Sequence, residues 1–213
     1  RSDGQINLLN SLYIAANYPI SEVSLFFNNK LFRGCRTTKV NSESFDAFAS
    51  PNYPCLMEAG INICLKAGEI SSGSNKPLLV TKIKPQAISI VTLYPGITSN
   101  VIENFLHQET KALILLTYGA GNAPKNPELL ACLAEANKRG IILLNITQCL
   151  QGKVNMKGYA TGNALAQAGV ISGFDMTLEA ALAKLHYLLS KPYSADQVRS
   201  ELQKNLVGEL SEN

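Results

Sequence analysis

The residues best placed to do chemistry are Arg36-Thr37-Thr38-Lys39, inside a polar stretch that runs from Arg33 to Ser50. This stretch follows two short apolar runs, Val23–Phe27 and Leu31-Phe32, whose β-branched and aromatic content predicts strands. Polar segments that leave a strand edge present side chains from a fixed backbone, and chemistry is often hung there. A lysine beside hydroxyls can steer or shuttle protons when burial lowers its pKa. Lys39 fits equally the description of a solvated surface lysine, because unpaired lysines are rarely buried. Glu43 and Asp46 read either as a carboxylate pair or as the charge of a solvated loop.

Three further constellations lie downstream. Gly119-Ala-Gly121-Asn122-Ala-Pro124 follows an apolar run and precedes a helix signal, a setting in which backbone amides can face an anion. It lacks the third glycine of a dinucleotide fingerprint, and no acidic residue follows ~20 residues on at a strand end. A tight strand-to-helix turn explains it as well. Cys149 ends a predicted strand, as a nucleophile can, but neither His107 nor His186 is evidently placed to activate it, which argues against a Cys–His hydrolase. Gly158-Tyr-Ala-Thr-Gly-Asn163 gathers glycine, hydroxyl and amide groups without charge. It fits a hydrogen-bonding surface for a polar ligand, or a helix N-terminus capped by Thr161.

The elements that must position these groups read as α/β. Ile6, Leu8, Leu9, Leu12, Tyr13 and Ala16 make one face of a helix that starts after Ser2-Asp3 and ends at Asn17-Tyr-Pro19. Ser50-Pro-Asn-Tyr-Pro54 forbids helix, and Leu56–Ala59 reads as a single turn before Gly60. The Gly, Ser and Asn content of 68–77 marks a domain boundary within about 65–86. Beyond it the pattern alternates regularly. Strands are expected at Ala87–Leu93, Ala112–Leu116 and Ile141–Leu144, with helices at Ser99–Leu106, Asn126–Lys138, Ala160–Ala168, Leu178–Leu189 and Ser194 to about Leu206. Consecutive βαβ units imply right-handed crossovers and a small parallel sheet with helices on both faces. Ligands of such sheets sit at the strands' carboxyl ends. Here those are the loops Tyr94-Pro-Gly96, Tyr118–Asn122 and Asn145–Cys149.

Composition narrows the class. Of 213 residues, 46% are apolar and 16% charged, which describes a globular chain. The net charge of +3 is spread thinly, with no basic run interleaved with aromatics, so no nucleic-acid partner is expected. No apolar run approaches the ~20 residues needed to span a bilayer. The five cysteines are odd in number, scattered and without CxxC spacing, which argues against a disulfide framework or zinc site and for a reducing compartment. Two histidines exclude a His-rich metal centre, and no cofactor is implied. The chain opens on Arg-Ser-Asp-Gly rather than Met, which points to processing or truncation.

Three stretches together resemble one family. They are Ser2–Leu8; Arg36–Lys39 with Phe45–Pro51; and Asn145–Cys149 through Gly152–Met156 to Gly158–Ala164. They look like the cytosolic, type I bacterial L-asparaginases, over the whole chain and in order. The resemblance implies two domains of the asparaginase type: residues 1–66 as the remainder of the N-terminal catalytic domain, 67–85 as linker, and 86–213 as the C-terminal α/β domain. It implies hydrolysis of L-asparagine to L-aspartate and ammonia, in the cytoplasm, by a homo-oligomer built as a dimer of dimers. In the family a threonine of a Thr-Gly-Gly-Thr motif attacks the amide, and a second threonine, an aspartate and a lysine form a proton relay. Lys39 matches that lysine. This chain contains neither Thr-Gly-Gly-Thr nor His-Gly-Thr-Asp, so the attacking groups and most substrate contacts are expected upstream of Arg1, and the chain alone is expected to be inactive. Some type I members are activated by asparagine at a second site, through an arginine whose position here is Leu116. Leucine cannot make a charged fork with a carboxylate, so effector binding is expected to be weak or lost. Asn122, Thr147 and Cys149 match second-site or interface positions, and Tyr159 stands where periplasmic relatives reach across the interface with a glutamate. An amino-acid-binding or regulatory module without catalysis is the alternative.

Overall fold

The two uninterrupted apolar runs, Ala112–Leu116 and Ile141–Leu144, suit strands buried on both faces, and in the computed structural model they lie in the two central strands of a parallel sheet. The structure describes residues 2–66, 73, 77–107, 109–158 and 160–211. The chain divides into two compact units, Arg1–Leu79 and Val80–Asn213.

The first unit opens with helix α1, Gly4–Asn17, followed by strands β1 (Ser24–Phe27) and β2 (Lys30–Arg33). Asn28 and Asn29, both in the left-handed region, make the hairpin turn between them. A 3-10 turn at Gly34–Arg36 leads into β3 (Thr38–Lys39), which pairs antiparallel with β4 (Phe48–Ala49). Two more strands follow, β5 (Met57–Ala59) and β6 (Ile63–Leu65), completing an antiparallel sheet of order β1-β2-β5-β6. Leu56–Ala59 is therefore not a helical turn. Leu56 and Met57 are fully buried beside Leu31 and Ile14, and pairing with β2 outweighs the local pattern.

α1 presents its apolar residues outward. Ile6, Leu8, Leu9, Leu12 and Tyr13 are 55–61% exposed, while Asn7, Asn10 and Ser11 lie with buried Ile14 on the inward side. Asn7 contributes to docking: its amide donates to Asp3, and its carbonyl oxygen accepts from the backbone N–H of Asn28.

The second unit is a four-stranded, wholly parallel sheet with strands β7 (Ile88–Thr92), β8 (Ala112–Thr117), β9 (Ile142–Thr147) and β10 (Ile171–Ser172), in the order β10-β9-β8-β7. Helices α2 (Ser99–Leu106), α3 (Pro127–Lys138) and α4 (Ala160–Gln167) cover one face. Helices α5 (Leu178–Leu189) and α6 (Ala195–Leu202) cover the other. The strand alternation splits the core accordingly. Leu113, Leu115 and Leu143 face Leu129, Leu133 and Leu165, whereas Ile114, Ile142 and Leu144 face Ala181, Leu185 and Leu202. Caps follow the sequence closely: Asn126 caps α3 ahead of Pro127, Thr177 caps α5, and Ser194 with Gln197 forms a capping box on α6.

Candidate functional site

In the first unit, the Arg33–Lys39 stretch is organised by its arginines. Arg33 makes a two-pronged ion pair with Glu22, Nε to Oε2 at 2.5 Å and a terminal nitrogen to Oε1 at 3.2 Å. The hydrogen bond to Glu22 is the largest influence on Arg33 and raises its pKa further. The Arg33 guanidinium stacks 4.4 Å from the Tyr53 ring centroid, and that of buried Arg36 lies 5.3 Å from it. Thr37, also buried, donates its hydroxyl to the Arg33 carbonyl. Gly34 has little freedom: a Cβ there would sit 2.9 Å from the Val23 carbonyl oxygen, which already accepts the Gly34 N–H. This scaffold delivers Thr38 and Lys39 into β3. Lys39 is exposed, with its Nζ 5.7 Å from the Phe48 ring centroid across the ladder. Glu43 and Asp46 are exposed loop carboxylates, and Asp46 accepts from the Asn28 amide.

In the second unit, the carboxyl ends of β8 and β9 carry a neutral polar network. β9 runs to Thr147, three residues past the expected end, so Asn145 lies inside the sheet and not in the following loop. Asn145 and Thr117 are both fully buried, and the Thr117 hydroxyl donates to Asn145 Oδ1 at 2.6 Å. Asn145 Nδ2 donates to the Gly121 carbonyl at 3.2 Å and to Met156 Sδ at 3.1 Å. Thr147 donates its hydroxyl to the Gly119 carbonyl and accepts the N–H of Cys149. The loop closes on itself through a bridge between Tyr118 and Asn122. Gly121 has φ +105°, and a Cβ there would meet Val154 Cγ1 at 2.8 Å, so only glycine fits. The Tyr118 hydroxyl is buried without a partner among the described residues, and burial raises its pKa.

The matched second-site positions divide across this edge. Asn122 and Thr147 belong to the network, and Asn122 Oδ1 accepts from the hydroxyl of Thr161. Thr161 lies within α4 instead of capping it. Cys149 is exposed just beyond β9. Leu116 is half-buried on the opposite face, packed against the α5–α6 core, and its carbonyl accepts the Gln148 side-chain amide. Gln148 also donates to the Leu93 carbonyl and so ties the ends of β7 and β8. Tyr159 lies outside the described residues. The sequence places Asn145 in a loop open to ligand and gives no buried role to it, Thr117 or Met156, although an asparagine amid Ile-Ile-Leu-Leu-Asn-Ile is a legible signal, since a buried amide demands partners. Among the described residues, no three His, Cys, Asp or Glu side chains group to hold a metal, and no helix is long and apolar enough to cross a membrane.

Comparison with known proteins covers both units. The sequence profile of the Glutaminase/Asparaginase C-terminal domain matches residues 87–202, and that of the Asparaginase N-terminal domain matches residues 1–70. L-asparaginase 1 of Escherichia coli K12 is 59% identical over 211 residues, which cover 99% of this chain and 62% of that relative. The human 60 kDa lysophospholipase is 46% identical over 212 residues, covering 37% of its length. Among solved structures, L-asparaginase I from Vibrio cholerae superposes with a TM-score of 0.95 at 58% identity, covering all of this chain and 64% of that one. The thermostable L-asparaginase from Thermococcus kodakarensis gives 0.89 at 30% identity, with the same 64% of its chain covered. The chain thus spans a little under two thirds of these three asparaginases, and in sequence and in fold it belongs to the glutaminase/asparaginase family.

Proposed function

We propose that this chain works as part of an L-asparaginase, hydrolysing L-asparagine to L-aspartate and ammonia. The observation that carries the reading is the 59% identity to L-asparaginase 1 over essentially the whole chain. Its 213 residues contain no Thr-Gly-Gly-Thr and no His-Gly-Thr-Asp, so in this reading the attacking threonine, its partner threonine and the relay aspartate come from polypeptide beyond them. Lys39 supplies the ammonium of the relay. It polarises the second hydroxyl and balances the neighbouring carboxylate, a task for a fixed charge near a developing oxyanion. Its placement on a short ladder behind the Arg33–Glu22–Tyr53 cluster supports this role, because a relay group must be held on rigid backbone.

The domain reading follows the same line: residues 1–66 belong to the catalytic domain, 67–85 link, and 86–213 form the C-terminal domain. The assembly is a cytoplasmic dimer of dimers. Asn122, Thr147 and Cys149 belong to a second site or interface at the strand ends, Tyr159 is assigned to the same set by the resemblance alone, and Leu116 in place of arginine weakens effector binding there.

Ammonia release tests the proposal. The 213-residue chain alone is expected to release none from L-asparagine, and the chain completed with the upstream part of the Escherichia coli relative is expected to be active. Lys39→Ala in the completed protein should lower kcat by orders of magnitude with the fold intact. Near-normal turnover in that variant would end the assignment of Lys39. Saturable asparagine binding by residues 86–213 without any activity in the completed protein would favour the regulatory module. A panel of other amides decides whether asparagine is the preferred substrate.

A further inference from the structure

We infer that Asn145 is a positioning residue for the strand-end site, setting the Tyr118–Asn122 loop and through it the groups offered to a ligand. The inference rests on the reading of Asn122 and Thr147 as members of a second site. Asn145 itself is fully buried, so it acts through its neighbours.

The argument is one of hydrogen-bond accounting. A buried carboxamide offers an oxygen and two N–H groups, and each must find a partner. Asn145 places them on three different segments. Its oxygen accepts from Thr117 on β8, and its nitrogen donates to the Gly121 carbonyl in the loop and to Met156 sulfur beyond. The Gly121 carbonyl fixes which end of the amide faces which partner, because it can only accept and so takes the nitrogen, which leaves the oxygen to the single proton of the Thr117 hydroxyl at 2.6 Å. The Gly121 carbonyl is held from below while Gly121 itself is pinned against Val154. Thr147 repeats the device one pleat on, holding the Gly119 carbonyl. The Ala120 carbonyl is taken by the N–H of Asn155. Three successive loop carbonyls are thus tied down by β9 and by the 154–156 segment. Asn122, next in the chain, is left with its side chain against Thr161 of α4. Freeing the Gly121 carbonyl releases the register of the whole loop.

Amide hydrogen exchange and calorimetry on the 213-residue chain test this. The variants are Asn145→Leu, Asn145→Asp and, as a near-isosteric change that only removes the donor to the Asn145 oxygen, Thr117→Val. In Asn145→Leu and Thr117→Val, amides of Tyr118, Gly121 and Asn122 should exchange about tenfold faster, the effect of one lost buried hydrogen bond, while those of Leu143 and Leu144 keep their protection. Asn145→Asp carries its own internal rescue. The carboxylate can only accept and opposes the Gly121 carbonyl, whereas the protonated acid donates to it and still accepts from Thr117. Loop protection in this variant should therefore rise as pH falls, and the wild type should show no such trend. Where wild type binds L-asparagine, its affinity should follow loop protection across the series. Unchanged loop protection in Thr117→Val and a flat pH profile in Asn145→Asp would overturn the inference, even if Asn145→Leu fails to fold. A wild type that binds no asparagine ends the second-site reading alone, and the exchange data still decide whether Asn145 positions the loop.

Discussion

Lys184 Nζ lies 2.6 Å from Glu209 Oε1, with the two side chains only 4% and 2% exposed. The pair is embedded in further partners. Lys184 donates to the carbonyls of Leu202 and Lys204 at the end of α6, and the Glu209 carboxylate accepts the backbone N–H groups of Leu206 and Val207. A cation on α5 thereby fastens the segment that follows α6, and Leu210 is carried into the core beside it.

Removing one charge should cost far more than removing both. Glu209→Gln leaves a buried ammonium without its counter-ion and is expected to destabilise the second unit by about 3–5 kcal/mol. Lys184→Met combined with Glu209→Leu should recover most of that, since a packed apolar pair replaces a desolvated ionic one. Urea unfolding of the two variants measures the difference, and equal losses in both would refute the account.

Acid should release the same segment. Burial alone would raise the Glu209 pKa, but the Lys184 ammonium and the backbone donors outweigh it and hold the carboxyl below the usual glutamate value. A carboxyl depressed in the folded state contributes stability above its unfolded pKa of about 4.3 and loses it as pH falls through the folded value. Stability should therefore decline below about pH 4.3, and Glu209→Gln should flatten part of that decline. Chemical denaturation at stepped pH reads the slope.

The outward face of α1 makes an opposite pair of predictions. Leu9 and Leu12 are about 60% exposed, so Leu9→Lys with Leu12→Lys should change stability by no more than about 0.5 kcal/mol. It should also reduce self-association, because a contiguous apolar arc is a sticky surface. Ile14→Ala, on the inward side, should cost about 2–5 kcal/mol. Thermal melts and light scattering separate the two; an unfolded double-lysine variant beside a harmless Ile14→Ala would mean that the helix is turned the other way.

How far the sequence announces this architecture depends on which signal each segment carries. Ala112–Leu116 and Asn126–Gly140 are legible because burial, proline and glycine all point one way. The two-residue strand Ile171-Ser172 and the hairpin Met57–Leu65 were not legible, since pairing with distant strands creates them and local preference does not. α1 was legible as a helix, but its periodicity reports where apolar residues lie, not whether this chain covers them. At the candidate sites, the loops at the strand ends could be found from topology alone. The buried Asn145 network is legible only in part: an asparagine in an apolar run announces buried partners, but which segments supply them depends on β9 running on to Thr147. Likewise Lys39 stood out by its neighbours in sequence, whereas the Glu22–Arg33–Tyr53 cluster that supports it joins residues 11 and 20 positions apart.

That cluster supplies the last prediction. Arg33 combines a planar fork on Glu22 with a stacked face on Tyr53, and its carbonyl holds Thr37 at the head of the β3–β4 ladder. Lysine at this position keeps the charge but offers neither the fork nor the flat face. Arg33→Lys is therefore expected to cost about 1–3 kcal/mol. The damage should be local: the Val40 N–H, which donates to the Ala47 carbonyl beside Lys39, should exchange faster, while the second unit's β8 and β9 amides stay protected. In a protein completed with the upstream part of its relative, the same variant should lower kcat, because Lys39 would keep its charge and lose its fixed position. An Arg33→Lys protein with wild-type melting and wild-type Val40 protection would show that the fork and stack do not position this ladder.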